Sequence, residues 1–285
     1  MTKNKNLPMI LGIAMVIIAV FAVMALYKPE PQPTCPSGEI FDGTNCVPIG
    51  GTPTPTPTPS GGYTLVMSDE FDGATLDQTK WVMYGGNQSG SNSDTLFSSS
   101  MVSVSGGQLH LGIAMNPNTG RKYIGSGIDN LNSLAGRMTQ GKWEIRAKMP
   151  PRYGTAGYMG LYTSDGGYPP AIVITQTAGR TPSQADQTQI HGNATTPIYD
   201  VTHTTQSDFT AGFHNYSFEW SGTQLTWMID GVVTKTSAQL FTTVPMKFGF
   251  GAYSGTCVST WPGCSSAGDL PSYMDIEYVR IYQKN

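Results

Sequence analysis

The chain has 285 residues, and charged side chains make up only 12% of it, about half the roughly 25% of an average globular protein. Sixteen basic against nineteen acidic residues leave a formal net charge of −3, which excludes the electrostatic footprint of a nucleic-acid binder and is too slight to call for a basic partner. Abundant Gly (34) and Pro (20) favour strands and turns over solvent-facing helices, and the weakly charged surface suits a neutral partner such as a polysaccharide.

In chain order, Lys3 and Lys5 precede an unbroken apolar run at residues 9–27, "MILGIAMVIIAVFAVMALY". At about 1.5 Å per residue this run nearly matches a hydrocarbon core of about 30 Å. The expectation is one transmembrane helix within residues 1–28, the basic end cytoplasmic and all that follows extracellular. A secretory signal cut after Ala25 stays open, and would release the chain instead. Both readings export the rest, so Cys35 with Cys46, and Cys257 with Cys264, read as two short disulfide loops. Neither pair has a CxxC spacing or a neighbouring His, which argues against zinc. Residues 29–49 then form a small stapled segment. "GGTPTPTPTPSGG" within residues 50–62 is an extended Thr-Pro linker, and a domain occupies residues 63–285. Asn87, Asn193 and Asn215 open Asn-x-Ser/Thr sequons, used only in a host that glycosylates exported chains.

The domain carries strand signals throughout. In "GGQLHLGIAM" Leu109, Leu111 and Ile113 alternate with other residues, and in "GKWEIRAKMP" Trp143, Ile145, Ala147 and Met149 alternate with Glu144, Arg146 and Lys148. "HNYSFEWSGTQLTWMIDGVV" predicts two strands, with turns at Ser221-Gly222 and Asp230-Gly231, and "SYMDIEYVRIYQ" a closing strand. Many short strands with Gly-rich turns predict an all-β sandwich or jelly roll.

Four segments, in order, resemble glycoside hydrolase family 16, the laminarinase-like β-glucanases. They are "SDEFDGATLDQTKW", "GRMTQGKWEIRAKMPPRYGT", "FHNYSFEWSGTQLTWMIDGVV" and "LPSYMDIEYVRIYQ". The resemblance implies a concanavalin A-like jelly roll with a sugar cleft on one sheet. In that family the strand after the "RAKMP" region carries Glu-x-Asp-x-x-Glu, or a version one residue shorter. The first Glu is the nucleophile, the last the general acid/base, and the Asp tunes their protonation. Retaining hydrolysis needs two carboxyl groups about 5–5.5 Å apart, and a bulge lets this spacing stay on one strand face. Here "GGYPPAIVITQTAG" places Ala171, Val173 and Gln176 at those positions, or Thr175 last in the shorter version. Gln176 can hydrogen-bond a hydroxyl but cannot deliver a proton at neutral pH, and an Ala cannot form the glycosyl-enzyme. Losing a nucleophile alone costs on the order of 10⁴–10⁶ in rate.

The resemblance further implies sugar contacts at Glu144, Tyr158, Tyr162, Tyr168, Gln176, His191 and Trp261, the last held over the cleft by a Cys257–Cys264 clamp. The family's Trp-rich run is replaced by "TAGYMG", so two stacking platforms are lost. It also implies a structural Ca²⁺ on Glu70, the Gly107 backbone and Glu277, with Glu in place of the usual Asp; no cofactor is required otherwise. Asp165 sits in a turn, and the resemblance puts Asp275 and Glu277 on the closing strand, away from the cleft. No nucleophile elbow, P-loop or dinucleotide fingerprint is present. The expected protein is a catalytically inactive, membrane-tethered glycan binder, its partner a polysaccharide such as β-glucan. A glycosidase with unorthodox acids and a structural or adhesive surface protein remain the alternatives.

Overall fold

The computed structural model describes residues 39–41, 46–48, 62–86, 93–206, 208–258 and 261–285. The chain divides into two units, Met1–Thr54 and Pro55–Asn285. In the first, β1 (Glu39–Phe41) and β2 (Cys46–Pro48) form an antiparallel ladder. The apolar run at residues 9–27, Cys35, the linker and Asn87 lie outside the described residues. No helix among the described residues is long and apolar enough to cross a membrane.

In the second unit the strands are β3 (Tyr63–Asp69), β4 (Val82–Met83), β5 (Thr95–Phe97), β6 (Val102–Ser105), β7 (Gln108–Met115), β8 (Tyr123–Asp129) and β9 (Gly141–Lys148). There follow β10 (Thr155–Thr163), β11 (Ala171–Ala178), β12 (Gln184–Gly192), β13 (Pro197–Thr205), β14 (His214–Ser221), β15 (Gln224–Ile229), β16 (Val232–Ala238), β17 (Met246–Ser254) and β18 (Ser272–Lys284). Two sheets result. The first runs β13-β12-β11-β10-β17-β8, with β4 added to β8. The second runs β16-β15-β14-β9-β18; β18 also pairs with β7 through Ser272–Ile276 and with β3 through its C-terminal half. Every pairing is antiparallel except β5 with β8.

Period-2 alternation builds the layer between the sheets. On β9, Trp143, Ile145 and Ala147 point inward at 0–1% exposure, while Ile172 and Ile174 of β11 and Phe248 and Phe250 of β17 meet them from the facing sheet. The all-β sandwich expectation holds. The hairpin turns follow their chemistry: Asp230 and Gly231 take φ of 51° and 78°, the doubly positive pair that matches the twist of β15 and β16.

Polar bonds also cross the sandwich, from β16 to β12 and β13 through Lys235, Ser237 and Gln189, and from β15 to β11. Trp227 on β15 donates from Nε1 to the Val173 carbonyl of β11 at 3.0 Å. That carbonyl lies beside a register shift between Val173 and Gln176, where β11 carries an extra residue relative to β12.

Candidate functional site

The bulge decides which side chains of β11 share a face. Tyr162, Gly160 and Tyr158 of β10 stand opposite Ala171, Val173 and Gln176, with the register shift falling between Met159 and Gly160. Ile172 and Ile174 enter the core, so Ala171, Val173, Gln176 and Ala178 occupy the outer face. Ala171, Val173 and Gln176, where the resemblance implies three acids, therefore share this face, and each carries an apolar or amide side chain. Ala171 is fully covered at 0% exposure, so a carboxylate there would need both space and desolvation.

Around this frame the outer face is aromatic. Tyr158 lies 6.5 Å from Tyr162 and 6.0 Å from Tyr253, ring centre to ring centre. Trp261 and Tyr158 pack against Ala156, Ala178 and Tyr253. The rings lie close to the sheet because glycines sit beneath them: a Cβ on Gly251 would come within 3.0 Å of the Tyr158 hydroxyl, and one on Gly127 within 2.5 Å of the Tyr84 ring. Burial pushes the hydroxyls of Tyr84, Tyr158, Tyr162 and Tyr253 well above the usual tyrosine range. They stay neutral donors and acceptors. Gln176 donates from Nε2 to the Tyr253 hydroxyl at 2.6 Å.

Two loops border this floor. Tyr168, 44% exposed, brings its hydroxyl to 3.1 Å from that of Tyr199 on β13; burial, then this contact, pushes Tyr168 up to about 12. Cys257 and Cys264 are joined, closing the loop that carries Trp261. The backbone at Cys264 passes so near Gly154, which has a φ of 78°, that a Cβ there would meet it at 2.3 Å. The pairing of Cys35 with Cys46 lies outside the described residues.

Tyr158, Tyr162, Gln176 and Trp261 are thus brought together, with Tyr168 at the margin. Glu144 is not among them, and the expectation is corrected. Because Trp143 and Ile145 point into the core from the second sheet, Glu144 faces out of the opposite side of the sandwich. There it accepts from the Tyr282 hydroxyl at 2.9 Å and pairs with Lys142 at 2.6 Å. His191 is corrected likewise: Asp186, Thr188 and Ile190 share the face of Gln176, and alternation turns His191 to the other side with Gln187 and Gln189. Asp165 stays in an exposed turn, where the Gly167 amide holds its carboxyl below the usual range.

The two carboxylates expected to hold calcium are engaged by arginines. Glu70 is held in a bidentate pair by Arg280 at 2.9 Å, and Glu277 by Arg146 at 2.5 Å. Both carboxylates thus already have a cationic partner, and no cluster of three acidic, His or Cys side chains occurs among the described residues.

Sequence reasoning missed Tyr84, Tyr253, Asp129, Lys247, Asp186, His203 and Tyr199 on this face. Asp129 is buried and paired with Lys247 at 2.6 Å, while Asp186 stands opposite Gln176 across β12 and meets His203 at 2.6 Å. Alternate glycines in "FGFGAY" and "GSG" were the available signal, since a strand gives up side chains where something must approach closely.

Known proteins bear on this geometry. The chain is similar to glucan endo-1,3-beta-glucosidase A1 of Niallia circulans, 26% identical over 275 residues, covering 82% of this chain and 39% of that protein. It is also similar to a beta-glucanase of Paenibacillus macerans, 33% identical over 73 residues, covering 26% of this chain and 30% of the relative. The chain thus spans well under two thirds of either relative. In fold it matches the laminarinase catalytic domain of Thermotoga maritima with a TM-score of 0.68 at 21% identity, covering 79% of this chain and 100% of that one. The profile of glycosyl hydrolases family 16 matches residues 66–280, from β3 through most of β18 and including every outer-face residue described above. The chain belongs to glycosyl hydrolases family 16.

Proposed function

We propose that this family 16 domain binds neutral polysaccharide on the outer face of its first sheet without cleaving it, β-glucan being the first class to test. The single observation that carries the reading is the β11 frame: the bulged spacing places Ala171, Val173 and Gln176 on one face, and none of the three is an acid. Retaining hydrolysis needs a nucleophile and an acid/base at that site. Asp129 and Asp186, the carboxylates on this face, are paired to Lys247 and His203. Neutral tyrosines over a glycine-rich sheet, with an amide between them, suit the apolar faces and hydroxyls of sugar rings. By analogy with the named activities of its relatives, the ligand is a β-1,3- or mixed-linkage glucan. The apolar run at residues 9–27 and the Thr-Pro segment support display outside a membrane on a tether.

The test incubates the protein with laminarin, lichenan and other β-glucans, measures reducing ends, and measures retention on the same glycans. Retention without release of reducing ends is expected. Steady hydrolysis by the purified chain would defeat the non-catalytic part, and absence of retention on any glycan the binding part. Protease accessibility of the domain on intact cells tests the tether.

A further inference from the structure

Beside the central floor, the outer faces of β12 and β13 carry a polar group that the frame of β11 does not use. Asp186 stands opposite Gln176 on one side and opposite His203 on the other. His203 Nδ1 lies 2.6 Å from Asp186 Oδ1, and Gln184 donates from Nε2 to the same oxygen at 2.8 Å. The Asp186 side chain keeps 19% exposure and that of His203 62%.

The chemistry of this cluster is one-sided. An ionised carboxylate only accepts, so His203 Nδ1 carries the proton it gives to Asp186, and the ring holds the carboxylate in place. The same argument fixes the Gln184 amide, with its NH₂ on Asp186 and its oxygen free to accept. Both bonds to Asp186 end on Oδ1, which leaves Oδ2 its acceptor capacity. Asp186 Oδ2 and Gln184 Oε1 therefore form a pair of acceptors, steadied by His203. Such a pair matches sugar hydroxyls, which donate, and opposes carboxylate or sulfate groups, which only accept and carry like charge. Along β13 the same face continues to Tyr199, 55% exposed and four residues from His203, roughly 13 Å at about 3.3 Å per residue. That ring supplies a stacking surface farther along the same face from the acceptors.

We propose that Asp186, His203 and Gln184, continued by Tyr199, form a lateral subsite for an uncharged, hydroxyl-bearing unit of a polysaccharide, and that its acceptors discriminate against sulfated or uronic units. The subsite rests on the glycan-binding reading and deepens it, since the central frame alone gives no reason to reject an anionic sugar.

The experiment is affinity electrophoresis of the full-length protein through gels holding laminarin, lichenan or carboxymethylated β-glucan. Wild type is compared with Asp186→Asn, His203→Ala, His203→Gln, Tyr199→Ala and, on the central floor, Tyr158→Ala. Circular dichroism confirms the fold of each, and the well-exposed His203→Gln keeps the test valid should Asp186→Asn fold poorly. Expected is a roughly 10-fold or greater loss of affinity for the neutral glucan in the Asp186 and His203 variants, the size of one charge-assisted hydrogen bond. Asp186→Asn is also expected to narrow the preference for neutral over carboxymethylated glucan. Wild type that binds neutral glucan, with folded Asp186 and His203 variants binding equally well, would overturn the subsite while leaving the central reading intact. Loss in Tyr158→Ala alone has the same meaning. Wild type that binds none of these glycans defeats the glycan-binding reading itself, and the subsite with it.

Discussion

Gln176 Nε2 donates to the Tyr253 hydroxyl at 2.6 Å, so this amide is spent on fixing a neighbouring ring. Tyr253 is only 8% exposed, and Tyr253→Phe keeps its packing while removing the acceptor. The expected cost is about 1 kcal/mol, with weakened glycan retention. Thermal denaturation and affinity electrophoresis measure the two effects separately.

Gly160 tests the bulge. A Cβ there would meet the Ile172 carbonyl oxygen at 2.3 Å, a backbone atom with no rotamer to yield. Gly160→Ala is expected to lower stability by about 1–3 kcal/mol, seen as a lower denaturant midpoint. An exposed control such as Gly85, with open space at its Cβ position, should tolerate the same change. Unchanged stability of Gly160→Ala would contradict this close approach of β10 to β11.

The tyrosine layer sets the alkaline limit. Burial raises Tyr158, Tyr162 and Tyr253, and burial with the Tyr199 contact raises Tyr168 to about 12. A folded value above the unfolded one means the neutral form is favoured by folding. The contribution is complete below the unfolded value of about 10 and is lost as pH rises through the folded values. Stability with respect to these groups is therefore expected to be flat through neutral pH and to fall above roughly pH 10. Ultraviolet titration should show the buried tyrosines ionising together with loss of ellipticity. Their ionisation near pH 10 in a still-folded protein would contradict the arrangement.

On the second sheet, the Arg280 side chain is 4% exposed and that of Glu70 33%. Glu70→Gln is expected to cost about 1–2 kcal/mol, between the values for exposed and for buried ion pairs. Since arginines hold both carboxylates of the expected calcium site, neither added calcium nor a chelator should move the thermal midpoint. A midpoint several degrees higher with calcium would refute the fit argument.

Much of the fold was legible because alternation is local. "GKWEIRAKMP" gives β9 its inward Trp143 and Ile145 directly, and Asp230-Gly231 gives its hairpin. What alternation lacks is the identity of the sheet. The outward face of β9 and that of β11 look alike in sequence, yet they lie on opposite sides of the sandwich, which is why Glu144 was set in the wrong place. His191 failed for a related reason: one step along β12 reverses the side. Tyr84, Asp186, His203 and Tyr253 were hidden because the face assembles them from β12, β13, β17 and the segment after β4, distant in the chain. The three-position frame of β11 was legible only through the family resemblance, since no local rule predicts a bulge inside "AIVITQTA".

The bond from Trp227 to the Val173 carbonyl acts as a through-bolt. It pins the frame strand at its irregular point to a fully buried indole of the opposite sheet. A platform braced in this way has little backbone freedom left to lose when a polymer settles on it, so association carries only a small ordering penalty. On the proposed binding reading, weak stacking contacts repeated along a chain then suffice for retention.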